Sequence, residues 1–156
     1  MRRDYFTLSV RNVDWLDADA DPRIPTVEID FQGPESMLES RFTDTEDEVL
    51  DAGDTDVAFR LQTALDDPDA GGVVAVTNRL TGDFILELNV DADDVLEFIR
   101  AARRYGETTN EDARYWVEVE FDGDSFVTYE KTTFLVYNRD GDLLRARSLI
   151  PSGVEL

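Results

Sequence analysis

The chain has 156 residues, with 36 Asp and Glu against 15 Lys and Arg, which gives a formal net charge of -21. It contains neither cysteine nor histidine, and this excludes thiol catalysis, Ser-His and Cys-His relays and ordinary zinc sites. The length predicts one domain, residues 1–156, whose core needs no disulfides.

The acidic residues are the strongest signal about the surroundings of the protein. They are spread along the whole chain, and 42% of the residues are apolar, which is typical of a globular core and not of an acidic disordered tail or a nucleic-acid mimic. Lys131 is the only lysine among the basic residues. Because the Debye length falls to about 3 Å at 1 M salt, such a surface is tolerated where salt is molar. The composition therefore predicts a protein that works in the salt-rich cytoplasm of an extreme halophile.

The first part of the chain alternates apolar and polar residues, as strands with one face in the core do. Such strands are predicted at Phe6–Val10, Val27–Phe31 and Val57–Leu61. Arg2 and Arg3 resemble a twin-arginine export signal, but the apolar stretch of about 7 to 15 residues that this signal needs does not follow. No later stretch approaches the roughly 18 apolar residues of a membrane helix. We therefore expect a cytoplasmic protein that does not bind membranes.

The second part of the chain predicts hairpins. The predicted strands are 72–78, 83–89, 114–121, 126–129, 134–137 and 143–149. The first two form a hairpin in which Phe84, Leu86 and Leu88 point inward. Asp122-Gly123 predicts a tight turn after the third strand, because glycine accepts a positive φ without penalty. The short connections favour a largely antiparallel sheet.

One main helix is predicted at 92–105. Aspartates begin it and arginines end it, which complements the helix dipole, and Gly106 is expected in a left-handed cap. Its apolar stripe consists of Val95, Phe98, Ile99, Ala102 and Tyr105. A short helix is predicted near 34–42, beginning at Pro34, with Met37, Leu38 and Phe42 facing inward. These elements predict an α+β fold, in which a largely antiparallel sheet of about eight to nine strands carries the main helix.

Three segments carry a resemblance that extends over the full length of the chain. They are Met1–Thr7, Thr77–Leu88 and Ser148–Leu156. In these segments the chain resembles a small family of uncharacterised haloarchaeal proteins. The resemblance agrees with the halophilic interpretation and implies no activity, cofactor or catalytic residue.

One acidic loop has part of the spacing of a calcium site. Asp17, Asp19 and Asp21 match the first ligands of an EF-hand loop. Pro22 takes the position that requires glycine, and the flanks predict strands or loops instead of helices. Chance spacing in an acidic chain explains the match, so we expect no metal site there.

Pairs of carboxylates, such as Glu118 with Glu120, have the chemistry needed for general acid–base catalysis or for Mg²⁺ binding. No phosphate-binding glycine loop and no recognisable nucleophile accompanies them. A solvated acidic surface supplies such pairs everywhere. We therefore expect no catalytic residue and no cofactor.

Aromatic and cationic residues on the last strands are the more suggestive feature. Trp116 falls on the polar face of its strand beside Arg114. If Tyr129, Lys131 and Tyr137 share that face, they form a cluster of the residue types that concentrate binding energy in protein interfaces. The alternative is that the short helix or the N-terminal loop covers this face and the aromatic residues are packing residues.

Two classes of function remain. The first is a non-catalytic cytoplasmic protein-interaction module, which binds a protein partner or forms a homodimer through its sheet or edge strands. The alternative is an enzyme or ligand-binding protein that uses carboxylates with a divalent metal. We expect no nucleic-acid partner, because the chain has no basic stripe and counterion release contributes little at high salt.

Overall fold

The computed structural model describes residues 5–18, 20–44, 46–109 and 112–151. Arg2, Arg3 and Asp19, together with the ends of the first and last segments of the family resemblance, lie outside the described residues. The strands are β1 (Phe6–Arg11), β2 (Thr26–Phe31), β3 (Thr55–Leu61), β4 (Gly71–Asn78), β5 (Phe84–Asp91), β6 (Tyr115–Phe121), β7 (Asp124–Lys131) and β8 (Leu135–Tyr137). The helices are α1 (Glu35–Arg41) and α2 (Ala92–Thr109), with short 3-10 turns at Asp14–Asp17, Ala52–Asp54 and Arg145–Arg147.

The eight strands form two sheets of four. Sheet 1 has the order β1-β2-β6-β7 and sheet 2 the order β5-β4-β3-β8. Each sheet contains one parallel pair, β2 with β6 and β3 with β8, and the other neighbours are antiparallel. The α+β class and the number of strands are confirmed, while the predicted continuous sheet is divided in two.

The inner faces of both sheets contribute to one hydrophobic core. Alternation places Val27, Ile29 and Phe31 of sheet 1 and Val57 and Phe59 of sheet 2 in it, each at most 5% exposed. This is the arrangement that the apolar-polar alternation of the sequence predicts, because successive side chains of a strand point to opposite faces. Each sheet therefore has a second, outer face, and these outer faces position the candidate site.

Helix α2 closes the core. The predicted apolar stripe is confirmed, since all of its members are buried. Phe98 lies at ring-centroid distances of 5.3 Å from Tyr115 of β6 and 6.2 Å from Phe134, the residue before β8, which ties the helix to sheet 1 and to the start of β8. The predicted end at residue 105 is wrong, because α2 continues to Thr109 with Gly106 inside it. A Cβ at Gly106 would lie 2.7 Å from the backbone nitrogen of Ala113, so glycine serves close packing here.

Helix α1 confirms the predicted short helix. Pro34 takes the position before its first turn, and Leu38 and Phe42 are fully buried. Phe42 contacts the ring of Tyr129 at a centroid distance of 6.4 Å, so α1 packs beside β7. Met37 does not point inward as predicted, since 37% of it is exposed.

Two further predictions about strands need correction. The predicted strand 143–149 is a 3-10 turn at Arg145–Arg147, flanked by isolated bridges at Leu143 and Leu149. In the β4–β5 hairpin, a bulge shifts the register between Val76 and Thr77. The bulge interrupts alternation, so Leu86 is buried while Phe84 points outward and is 53% exposed.

Candidate functional site

The predicted aromatic and cationic cluster does not form as one surface. Trp116 lies half-buried on the outer face of sheet 1, opposite Glu130, as predicted for a residue of the polar face. Arg114 precedes it and forms an ion pair with Glu130, at 3.2 Å between Nη1 and Oε1. The guanidinium of Arg114 also lies 5.7 Å from the ring centroid of Tyr105 on α2. These two candidates therefore lie where sheet 1 meets the helix.

Tyr129 and Lys131 point to the opposite side, so the prediction that they share a face with Trp116 is wrong. Lys131 pairs with Tyr115 in the β6–β7 ladder, which puts its side chain on the inner face. Its ammonium donates to the backbone carbonyls of Ala52, at 2.6 Å, and Thr55, at 2.5 Å. Both candidates are buried, so they join β7 to the segment that leads into β3 and are not part of an exposed surface.

Burial shifts the pKa values of these two inward groups. The pKa of Lys131 is lowered, because desolvation disfavours the ammonium and Arg79 repels it, with Asp56 acting in the opposite direction. Burial, with Asp51 and Asp54 adding to it, raises the pKa of Tyr129 to about 12. The Tyr129 hydroxyl donates to the carbonyl of Leu50 at 2.5 Å. The side chains of Tyr129 and Lys131 therefore both hold the backbone of the segment that leads into β3.

Tyr137 lies in the other sheet. It is half-buried on β8 and pairs with Arg60 of β3, on the outer face of sheet 2. Of the five candidates, Tyr137 is thus the one that the structure places beside an exposed arginine.

The aromatic residue of the N-terminal loop packs against helix α2, and not over the polar face as the alternative predicts. Trp15 of that loop is buried against Ala101 and Tyr105, so it packs on helix α2. Leu16 and Ile24 pack against the same small cluster.

The outer face of sheet 1 is rich in carboxylates, and we call it the acidic face. Its main side chains are Arg11, Glu28, Asp30, Trp116, Glu118, Glu120, Thr128 and Glu130. Oxygens of Glu28, Glu118 and Glu120 lie within 4.8 Å of one another. Arg11 bridges two of them, with its Nε 2.7 Å from Glu28 and its Nη2 2.9 Å from Glu118.

Desolvation and the charges of neighbouring carboxylates both act on Glu120. Its pKa is raised by desolvation and then by the charges of Glu28, Glu118 and Asp30, while Arg11 lowers it. Three carboxylates can ligate a divalent cation, but here an arginine already neutralises two of them. The arrangement is an ion-pair network across β1, β2 and β6.

The outer face of sheet 2 has a different character, and we call it the neutral face. It consists of Asp56, Ala58, Arg60, Val73, Ala75, Thr77, Phe84, Glu87, Asn89, Leu135 and Tyr137. Asp56 is paired with Arg79, which reaches it from the end of β4 with Nε 3.1 Å from Oδ1. The other charged side chains of this list are Arg60 and Glu87, of opposite sign. The face therefore has a balanced charge and an apolar centre.

Arg60 and Phe84 are the residues of the neutral face that sequence reasoning missed. Arg60 is exposed, and its Nη2 donates to the carbonyl of Arg139 at 3.1 Å. Across the part of the chain that the structure describes, its guanidinium forms no ion pair. The signal for Arg60 was present in the alternation of β3, whereas Phe84 is exposed because of a bulge that alternation does not reveal.

Comparison with known proteins gives a family without a known function. The whole chain, residues 1–156, matches the model of a family described as a family of unknown function (DUF5793). No curated protein and no solved structure matches the chain. Within the described ranges, no helix is long and apolar enough to cross a membrane.

Proposed function

The chain belongs to this family of unknown function. From its two outer faces we propose that it is a non-catalytic module of a salt-rich cytoplasm, which binds a protein partner or associates with itself. The observation that carries the proposal is the neutral face. In a chain with a net charge of -21, a sheet face with balanced charge is the surface on which another protein can dock without charge repulsion.

The residue types of the neutral face support the same role. Tyr137 and Arg60 are of the kinds enriched in protein interfaces, and the exposed ring of Phe84 adds apolar area. Small side chains at Ala58 and Ala75 allow a second backbone to approach closely. A partner surface needs an apolar centre with polar groups around it, and this face has both.

The salt-rich setting is proposed from the acidic face. Glu28 and Glu118 lie side by side in the parallel β2–β6 pair, and Asp30 lies beside Glu120. Adjacent carboxylates of this kind repel each other at low ionic strength and are screened at molar salt. Their placement across a whole sheet face favours a protein whose surface is adapted to salt.

Divalent metal binding is the weaker candidate. The proximity of Glu28, Glu118 and Glu120 is the observation in its favour. Against it, Arg11 forms ion pairs with two of these carboxylates and would have to be displaced by the cation. The interaction role therefore has the better support.

Light scattering of the purified chain in ~2 M KCl, where surface repulsion is screened, tests the proposal. We expect a mass above the 17.7 kDa of one chain, either as a dimer or as a complex with a protein that co-purifies from the native host. A monomer without a partner, which Mn²⁺ or a nucleotide stabilises against melting, would overturn the proposal in favour of the ligand-binding class.

A further inference from the structure

We propose that residues 142–149 form a strap that closes one edge of sheet 2 to the strands of other chains. The edge belongs to β8, the last strand in the order β5-β4-β3-β8. An open edge presents unpaired N–H and C=O groups, on which a strand of another chain can add. The strap takes the place of that next strand without being one, since its centre is the 3-10 turn Arg145–Arg147.

The two ends of the strap bind the edge as a strand would. At one end Phe134 and Leu149 exchange two backbone hydrogen bonds, of 2.9 Å from the N–H of Phe134 and 2.8 Å from that of Leu149. At the other end the N–H of Asn138 donates to the carbonyl of Asp142 at 2.9 Å. These bonds use backbone groups with which a further strand would otherwise pair.

The centre of the strap binds the edge through a side chain. The N–H of Val136 donates to Oγ of Ser148 at 2.8 Å, and its carbonyl accepts from the N–H of Leu144 at 2.8 Å. The Ser148 hydroxyl in turn donates to the carbonyl of Leu144 at 2.8 Å, so the buried hydroxyl both donates and accepts. Ser148 thus completes the pairing of β8 where the 3-10 turn provides no strand backbone.

Further contacts hold the strap in its place. Leu149 is 3% exposed and belongs to the hydrophobic core, and Leu144 packs against that core. Arg103 of α2 donates through Nη2 to the carbonyls of Ala146, at 3.2 Å, and Ser148, at 2.7 Å. The strap is therefore tied to the core by its leucines and to α2 by an arginine.

The outer side of the strap does not continue the sheet. Arg145, Ala146 and Arg147 are exposed there, and the N–H of Arg147 donates back to the carbonyl of Leu144 at 3.1 Å, so the backbone is turned and not extended. In the salt-rich setting proposed above, charged side chains would protect an edge poorly, because the Debye length is only about 3 Å at 1 M salt. A strap that occupies the hydrogen-bonding groups protects the edge at any ionic strength.

Opening the strap tests its role. Arg103→Met combined with Ser148→Ala removes the arginine contact and the hydroxyl that accepts from Val136. At about 5 μM, hydrogen exchange of a peptide that contains Val136 should become at least tenfold faster than in the wild-type chain, because its N–H loses its acceptor. At about 500 μM the variant should associate beyond the wild-type chain, and Val136 should be protected again by a strand of another copy. Sedimentation velocity in ~2 M KCl measures the association.

Arg104→Met combined with Ser125→Ala is the matched control, because both residues are exposed, on α2 and on β7. It should change neither exchange at Val136 nor association. Far-UV circular dichroism verifies that both variants fold, and Ser148→Ala alone takes the place of the double variant if that does not.

Three results would overturn the proposal. Fast exchange at Val136 without added association would show that the open edge attracts no strand. Association in which Val136 stays unprotected would place the contact elsewhere on the molecule. Unchanged exchange at Val136 would show that Arg103 and Ser148 do not close the edge.

Discussion

The acidic face and the neutral face are outer faces of sheets that share one core, and yet their charges differ. On the acidic face Glu28, Asp30, Glu118 and Glu120 crowd around Arg11. The described residues of the neutral face show no such crowding. Under the proposed function, the crowded carboxylates are an adaptation to the solvent, and the face without an excess of them is the one that binds a partner.

The difference has an energetic side. Two unit charges about 4.8 Å apart repel by about 1 kcal/mol in water without salt. At 1 M salt, with a Debye length of about 3 Å, most of this repulsion is screened. The acidic face is therefore sensitive to salt, while the neutral face, which carries few charges and both signs, is less so.

Removing salt should have the largest effect. We expect the chain to melt cooperatively in ~2 M KCl and to lose its fold or most of its stability below ~0.2 M, where repulsion on the acidic face is no longer screened. Circular dichroism at a series of KCl concentrations measures this. A melting temperature that is indifferent to salt would remove the reason for treating the acidic face as solvent-adapted.

Substitution of Lys131 should cause the next largest loss of stability, because its side chain joins β7 of sheet 1 to the start of β3 in sheet 2. Lys131→Met keeps the apolar stem but leaves the carbonyls of Ala52 and Thr55 without their donor. We expect a loss of about 2 to 3 kcal/mol and a melting temperature lower by about 5 to 10 °C. Arg139→Met, at an exposed position, removes the same charge and should change the free energy of unfolding by less than about 0.5 kcal/mol.

The environment of Lys131 can be measured directly, because it is the only lysine. Lysine-selective isotope labelling should give one side-chain signal, titrating below the ordinary value of 10.5. The unfolded chain then binds more protons than the folded chain between the lowered pKa and 10.5, so this group's contribution to stability rises with pH in that window. A normal pKa would contradict the buried placement of the ammonium.

The β6–β7 hairpin shows what the sequence could predict and what it could not. Alternation correctly assigned β6, and Asp122-Gly123 correctly predicted its turn, with φ of 48° and 87°. In a regular hairpin about this turn, Trp116 would lie opposite Tyr129. A bulge between Val119 and Glu120 shifts the register by one residue and turns Tyr129 and Lys131 inward. The sequence of β6 and β7 contains no pattern from which we could predict this bulge.

The same limit explains the β4–β5 hairpin. Its strands follow from alternation, but Phe84 is exposed because one extra residue separates it from Leu86 in register. The division into two sheets is also invisible to local patterns, since the parallel pairs β2–β6 and β3–β8 join strands that are distant in the chain. Local sequence patterns thus predict the strands and helices. They do not predict the face to which a side chain points beyond a bulge.

Removing one carboxylate should have a smaller effect on the melting temperature, and this effect should differ between the two faces. Glu120→Gln should raise the melting temperature slightly at pH 7, because desolvation and the neighbouring carboxylates raise the pKa of Glu120 and so disfavour its charged form in the fold. The sign follows from linkage: the folded chain binds more protons at Glu120, so stability at this site falls as pH rises through the raised pKa. The gain should fade as the pH falls below 4.5, the ordinary pKa of glutamate, because the unfolded chain then becomes protonated at this position as well.

Glu87→Gln is the matched control on the neutral face, measured at a concentration where the chain is monomeric. Its cross-strand neighbour is Ala75 and not another carboxylate, so its removal should bring no gain. The gain from Glu120→Gln should also shrink between ~0.5 M and ~3 M KCl as screening increases. Equal gains from both variants would show that net charge, and not the arrangement of the acidic face, determines stability.

The smallest expected effect is that of a divalent cation. A cation at Glu28, Glu118 and Glu120 would gain three carboxylates but would displace Arg11 from two ion pairs. We therefore expect 1 mM Mn²⁺ in molar KCl to change the melting temperature by less than about 1 °C. Specific binding is easy to distinguish from this, because a cation present at 100 times its dissociation constant would add about 2.7 kcal/mol to the stability. Arg11→Gln sharpens the test by freeing the carboxylates. If Mn²⁺ stabilises the wild-type chain as much as this variant, the acidic face binds metal, and the division between a solvent-adapted face and a partner-binding face fails.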